Sequence, residues 1–407
     1  MYAFKPHVFT EHSIYSITKP EGKVNEIICC DGKNLYFYGE SVTSNSKFYN
    51  IREYNLARQQ WRLLILTRHQ SKSSISDESL RISTIFESNY LVTCTLQTQN
   101  TRQRLFNDEL SSHTCQLHVC DLNSKSSLVR RTSGQIPYFL FALNFIRHGK
   151  YIYTVGIQRD YYKTFSDVYK LNMENDVWEV VYICRGLDAN EPVGRTSHTL
   201  VYSNNMIYIF GGYDLSPNYD PFSFLKIWAF DLEKCCWKIV DTHGDENHTP
   251  QYPTDRDLFG VTSYTDPDSG EMNVIISGEK FYKNEYDNDG EGWEEFFESD
   301  HIEFKDVWRL NLTSLKWTCL ERFGTALPHQ VEDHSITISS AGKLFLFDGV
   351  EHEIRTSALH STWIRIPKLT DICWEAVLHY YPNLKSITDK EIISLGIPLQ
   401  LFKSRID

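Results

Sequence analysis

Short apolar runs separated by polar loops fill residues 1–366, and the pattern recurs. Runs of this length, rich in aromatic and β-branched residues, predict β-strands. One block is an apolar strand ending in a glycine pair or its remnant. It reads NLYFYGE (34–40), YLVTCTL (90–96), YIYTVGI (151–157), MIYIFGG (206–212), NVIISGE (273–279) and KLFLFDG (343–349). A second block is a strand ending in an apolar residue with Trp five positions later. Leu56 with Trp61, Met173 with Trp178, Leu232 with Trp237, and Leu312 with Trp317 obey it, while Leu122 has Ser127 in the Trp position. In three copies an aromatic lies nine residues before the Trp: Tyr169, Trp228 and Trp308. Six units at a period of roughly 60 residues predict a repeat architecture. The polar stretches 66–80 and 97–114 predict mobile loops around a degenerate second unit.

The repeat resembles the kelch repeat, most clearly over 206–237 (MIYIFGGY…LKIWAFDLEKCCW). The resemblance implies an all-β, six-bladed kelch β-propeller over residues 1–366, with four strands per blade. The glycine pair suits strands crowded near an axis, where a Cβ would clash. The Trp suits packing of one blade on its neighbour. In the sixth unit KLFLFDG is expected as the innermost strand and a third strand falls near TWIRIP. The chain then runs straight into its tail, leaving one strand missing. Residues 11–19, containing HSIYSITK, are expected to supply it, because closure removes unpaired sheet edges.

Residues 367–407 break from this pattern and predict three short helices. Pro367 suits a first helical turn. Leu369, Ile372, Cys373, Ala376, Val377 and Tyr380 then fall at helical spacing and form one apolar stripe. Pro382 stops that helix. Thr388 and Glu391 form a capping box, and Gly396 suits the turn that ends the second helix. Pro398 opens a third helix ending near Ile406.

Leu369-x-x-x-Cys373-x-x-x-Val377 resembles the BC box, the helix by which cullin-ligase receptors bind elongin C. Tyr381-Pro382-Asn383-Leu384 resembles the cullin-2 box. One departure is Lys368, where the BC box usually has Pro or a small residue. With the kelch body, the chain resembles the kelch-repeat substrate receptors of cullin-2 ubiquitin ligases. That resemblance implies elongin C contacts at Leu369, Ile372, Cys373, Ala376 and Val377, and cullin-2 contacts at Tyr381, Pro382 and Leu384. It implies a non-catalytic subunit joined to elongin B, elongin C, and cullin-2 with its RING subunit. The propeller would hold protein clients through a C-terminal peptide. A free carboxylate calls for charge-assisted donors. Arg195 and Arg256 stand before the first strands of blades 4 and 5, and Arg355 follows the DG of blade 6. Related receptors place arginines in the blade 4 loop, whereas loop 213–224 here offers Tyr213, Tyr219 and Phe222. The second reading is a kelch scaffold whose tail is structural.

Composition narrows the classes. A net charge of −12 disfavours nucleic acid and acidic membrane surfaces. No apolar stretch approaches the length of a membrane span, and residues 1–20 lack a signal-peptide pattern, so a cytoplasmic or nuclear protein is expected. The ten cysteines form no CxxC pair and sit mostly in apolar runs, as reduced thiols would. Sequons at Asn247 and Asn311 then count as chance matches. Residues 285–303 carry nine carboxylates, between the second and third strands of blade 5. Asp287, Asp289, Glu291, Gly292 and Glu298 echo an EF-hand loop, but Glu at the fifth position and strand-like flanks favour a solvated acidic loop. No GxSxG elbow is present, nor a cluster suited to a copper-radical oxidase. No enzyme activity, cofactor or metal is expected.

Overall fold

The computed structural model describes residues 3–12, 24–43, 46–68, 81–87, 90–98, 113–137, 144–160, 163–185, 190–195, 198–212, 222–256, 259–282, 301–328, 334–351, 354–381 and 388–406. Six antiparallel sheets follow one another along the chain as the blades of a propeller. Blade 1 comprises Val24–Cys30, Asn34–Thr43, Ser46–Asn55 and Gln60–Arg68. Blade 2 comprises Arg81–Glu87, Tyr90–Thr98, His113–Asp121 and Ser126–Arg131. Blade 3 comprises Ile146–His148, Tyr151–Asp160, Lys163–Asn172 and Val177–Tyr182, extended by a parallel strand Ser133–Gly134. Blade 4 comprises Thr199–Ser203, Met206–Phe210, Lys226–Asp231 and Cys236–Asp241. Blade 5 comprises Gly260–Thr265, Met272–Tyr282, His301–Asn311 and Lys316–Cys319. Blade 6 takes Ser335–Ile338, Lys343–Glu351 and Ile354–Trp363 from the end of the repeat region, and Thr10–Glu11 from the chain's start.

Thr10–Glu11 closes the ring, pairing antiparallel with Ser361 and His360. His7 N–H to Trp363 O and His12 N–H to Leu359 O, both 2.8 Å, extend the pairing on either side. The closing strand therefore begins before the expected 11–19, of which residues 13–19 lie outside the described set. A second correction concerns KLFLFDG. It belongs to the second strand of blade 6, with Ser335–Ile338 hydrogen-bonded on its inner side. The first strands of neighbouring blades touch one another, so they line the axis. The glycine pairs sit one strand further out, where a linker from the next blade crosses them. Residues 66–68, 97–98 and 113–114, expected as loop, are strand, because the hairpins of blades 1 and 2 run on past their apolar cores. The acidic segment 285–300 lies outside the described residues.

Six apolar clusters hold the circle together, each between neighbouring blades. The last joins Phe37, Tyr54 and Trp61 of blade 1 to Phe345, Phe347 and Leu359 of blade 6. The repeat tryptophans sit in these clusters, packed on the preceding blade. Trp178 and Trp317 also donate their indole N–H, at 3.1 Å, to Thr132 and Thr242. Both threonines directly follow the outer strand of the preceding blade, so one hydrogen bond recurs at equivalent seams.

The tail forms helices α1 (Leu369–Tyr380), α2 (Asp389–Ser394) and α3 (Leu399–Ile406). The capping box is complete: Thr388 Oγ1 accepts from Glu391 N–H, and the Glu391 carboxylate accepts from Thr388 N–H. Gly396 takes φ +75° in the turn before α3. Trp374, Ile392, Ile397 and Phe402 form the tail's own small core, which includes Ala57 from a turn of blade 1. No helix among the described residues is long and apolar enough to cross a membrane.

The glycine position of blade 4 is a test of this packing. Gly211 adopts φ +56°, and a Cβ there would overlap the ring of Phe259 from the next linker. Gly211→Ala is expected to lose about 2 kcal/mol or more of stability, from left-handed backbone strain plus overlap. Urea unfolding measures it; a loss below about 0.5 kcal/mol, the usual range of a neutral surface change, would show that the linker yields freely.

Candidate functional site

Arg195 and Arg256 occupy equivalent places, each four residues ahead of the first strand of its blade. Each donates Nη1 to a glycine carbonyl of the second strand or its end, Gly211 at 3.2 Å and Gly278 at 3.4 Å. Each guanidinium also lies over an aromatic ring, Phe222 at 3.7 Å and Phe304 at 4.0 Å. The residue just before each first strand repeats too. His198, Phe259 and His334 pack against Gly156, Gly211 and Gly278 of the preceding blades. Sequence reading overlooked these three; the spacing Arg-x-x-His and Arg-x-x-Phe was the available signal for His198 and Phe259, while His334 follows Val331 instead.

The two arginines then part company. Arg256 is 0 % exposed, and its guanidinium grips Asp306 with both Nη groups, Nη2 to Oδ2 at 2.8 Å. Its Nε donates to Thr254 O at 2.8 Å. Arg256 was expected to face a client; it is instead a buried clamp between linker and third strand, with its donors occupied. Asp306 stands two residues before Trp308; the corresponding residue before Trp228 is Lys226, which pairs with Asp241 on the outer strand. Arg195 therefore has no carboxylate partner among the described residues, and its Nε has no hydrogen-bond partner there. At 5 % exposure, burial drives its pKa down to about 9. His198 beside it is 2 % exposed; burial first, then the Arg195 charge, lower its pKa to about 4. Arg355 lies in the third strand of blade 6, paired with Val350, and its side chain is outside the described set. Tyr213 also lies outside it.

The tail presents a second surface. At 100° per residue, α1 carries two apolar faces rather than the single expected stripe. Trp374 is buried, with Val377 and Leu378 packed beside it against the tail core. On the other side Leu369 is 72 % exposed, and Cys373 and Tyr380 are exposed as well. Ile372 and Ala376 are half-buried between the faces. Glu375 anchors the inner side: Lys343 of blade 6 forms an ion pair with its carboxylate, and Trp363 Nε1 donates to it at 2.7 Å. Ile366, Tyr381, Ile393 and Leu395 add further exposed apolar surface. Pro382 and Leu384 lie outside the described residues. Trp374 and Glu375, central to the docked geometry, were not expected, because their partners Phe402, Lys343 and Trp363 lie outside the helix.

A family model described as the KLHDC2/KLHL20/DRC7 Kelch-repeats domain matches residues 104–254. Among curated proteins, the Kelch domain-containing protein 10 homolog of Drosophila melanogaster is 28 % identical over 278 residues, covering 66 % of this chain and 42 % of that protein. Kelch domain-containing protein 10 of Rattus norvegicus is 24 % identical over 294 residues, covering 70 % and 62 %. That of Homo sapiens is 24 % identical over 288 residues, covering 69 % and 57 %. The chain thus spans 42–62 % of the length of these relatives. Among solved structures, YjhT aligns with TM-score 0.53 at 10 % identity, over 84 % of this chain and 94 % of that one. A Trypanosoma rangeli sialidase aligns with TM-score 0.51 at 8 % identity, over 92 % and 62 %. These two likenesses carry the propeller fold alone. The chain is a six-bladed propeller with three C-terminal helices and kelch repeats detected over residues 104–254, an architecture that suggests a protein-interaction scaffold.

His198 gives this linker a pH signature. Unfolded, it takes a proton near 6.5; folded, only near 4. Between those values the unfolded chain binds the extra proton, so stability is retained above about 6.5 and lost as pH falls toward 4. His198→Asn is expected to flatten the pH dependence of the urea midpoint across that window, by up to about 3 kcal/mol. Parallel curves for variant and wild type would contradict the assignment.

Proposed function

We propose that this chain is the substrate-recognition subunit of a cullin-2–RING ubiquitin ligase. It would contribute proximity rather than bond chemistry, with the tail binding elongin B/C and cullin-2 and the propeller holding a client. One observation carries the reading. The face of α1 bearing Leu369 and Cys373 points to solvent, while its opposite face is locked to the molecule by Trp374 and Glu375. A helix that merely capped the propeller would not need to leave a second apolar face, with Leu369 at its start, open to solvent. The likeness to Kelch domain-containing protein 10 supports a shared architecture. The cytoplasm or nucleus is the compartment such a role requires.

On the client side, Arg195 fits best the part of a group that meets a terminal carboxylate. It is a buried cation with a donor to spare and no acid beside it among the described residues. Arg355 and Tyr213 remain in the proposed mouth by their place in the repeat. Cullin-2 contacts are proposed at Tyr381, Pro382 and Leu384, following the same motif.

Co-purification of elongin B/C with wild type and with Leu369→Asp tests the ligase role. Burial of a leucine in a partner pocket contributes about 1.5–3 kcal/mol, so the variant is expected to bind roughly 10- to 100-fold more weakly with its fold intact. Equal recovery would leave a kelch scaffold with a structural tail. For the client, a peptide library with free and with amidated C-termini is presented to the full chain. Binders are expected to lose affinity on amidation and on Arg195→Met; indifference to both would remove the carboxylate role.

A further inference from the structure

Three side chains that none of these roles uses converge beside blade 5. They are His248 in the linker from blade 4, Cys319 at the end of the outer strand, and Glu321 in the short helix Leu320–Phe323 that follows. Their imidazole, thiol and carboxylate ligand atoms all lie within 4.8 Å of one another. His248 Nε2 and Glu321 Oε2 are 3.9 Å apart. Exposure is graded from the thiol outward: Cys319 is 0 % exposed, while the His248 and Glu321 side chains are 20 % and 54 % exposed. The cluster thus has a buried floor and an open lip.

The histidine is oriented for coordination. Its Nδ1 lies 2.9 Å from the Pro250 carbonyl, which can only accept, so Nδ1 carries the proton. In the neutral ring Nε2 then bears the lone pair, on the side of Cys319 and Glu321. A backbone carbonyl holding the remote ring nitrogen is the outer-shell arrangement of metal-bound histidines. A T-shaped contact with Trp308 further restrains the ring, with centroids 5.3 Å apart. The floor is fixed as well. Asp245 accepts from Cys319 N–H at 3.0 Å and is itself paired with Arg322 at 3.0 Å. Asp306, Glu321 and Asp245 all place negative charge around the thiol.

We propose that His248 Nε2, Cys319 Sγ and the Glu321 carboxylate bind a divalent transition-metal ion of the zinc class, with water as fourth ligand. One thiolate, one imidazole and one carboxylate form a donor set suited to zinc and to cobalt, and unsuited to calcium or magnesium. Tetrahedral coordination places such donors about 3.3–3.8 Å apart, so binding would draw the three ligand atoms somewhat closer than the 4.8 Å within which they now lie. Binding forms the sulfur–metal bond as the thiol proton leaves to solvent, with no change of oxidation state. The ion would staple the linker entering blade 5 to that blade's outer strand. Sequence reading expected no metal because the three residues share no local motif; only the ring brings the linker beside the strand end.

The full chain, stripped with chelator, is titrated with Co(II) as a spectroscopic probe. One equivalent is expected to give tetrahedral visible bands and a sulfur-to-cobalt charge-transfer band, both removed by Zn(II). Cys319→Ser is expected to abolish the charge-transfer band, with circular dichroism reporting whether the variant is folded. Glu321→Gln alters an exposed side chain, and it and His248→Gln are expected to weaken binding roughly tenfold or more. No band in excess Co(II) overturns the site, and leaves His248 and Glu321 as a close polar contact. So does a band of unchanged strength in Cys319→Ser, which would place the ion on another cysteine. Unchanged affinity in both Glu321→Gln and His248→Gln overturns it equally.

Discussion

A four-stranded sheet has two faces, and here each is covered by the neighbouring blade. That single constraint organises the molecule. No blade holds a core of its own, so all six apolar clusters lie at the seams. A row of seams is stable only when it has no ends. This gives the brief Thr10–Glu11 pairing an importance beyond its length. It completes blade 6 and lets Phe345 and Phe347 meet Phe37 and Trp61 across the join. Phe9 follows the same strand down into the seam between blades 5 and 6.

Departures from the repeat then become readable as local changes on a fixed frame. Blade 2 has Ser127 where blades 1, 3, 4 and 5 have Trp, and the seam between blades 1 and 2 is filled instead by Tyr36, Tyr38 and Leu122. Volume is supplied from the opposite side, so the ring tolerates the loss. The change of Asp306 to its blade 4 counterpart Lys226 has the reverse character. It leaves the same buried arginine in place and removes its acid, which no packing substitution can repair. A buried cation with no acid beside it among the described residues costs stability in the free protein, a cost that a bound anion would relieve.

Much of this frame was legible in the chain itself. The period, the Trp spacing, the capping box at Thr388 and the three-helix tail all rest on local physics: strand alternation, side-chain size, orphan N–H groups. What escaped was non-local. The start of the closing strand depends on which residues reach Ser361 across a sequence separation of more than three hundred positions. The inner place of Ser335–Ile338 depends on the ring axis, which no single repeat contains. Arg256 looked like a loop cation because Asp306 lies fifty residues away in sequence and directly opposite in space. In α1 it was the second, buried face that escaped. The stripe through Leu369 and Cys373 is apolar, but so is the face through Trp374 and Leu378, and composition alone does not say which turns inward.

Glu375 settles that choice. Its carboxylate sits on the inner side of α1, where Lys343 supplies the charge and Trp363 a second donor. Rotating the helix to hide Leu369 would pull Glu375 from both partners and drive Trp374 into water, exchanging one buried leucine for an exposed indole and a stranded lysine. The exposed ridge is thus the consequence of a better-satisfied alternative on the opposite side, not of weak packing. The same contacts hold α1 against blade 6, and Ala57 ties the tail core to blade 1. A ligand in the propeller mouth and a partner on the ridge would then stand in a geometry set by the ring rather than by a linker. The proposed role, working by proximity, would need that rigidity, because a flexible joint would dilute the local concentration that proximity supplies.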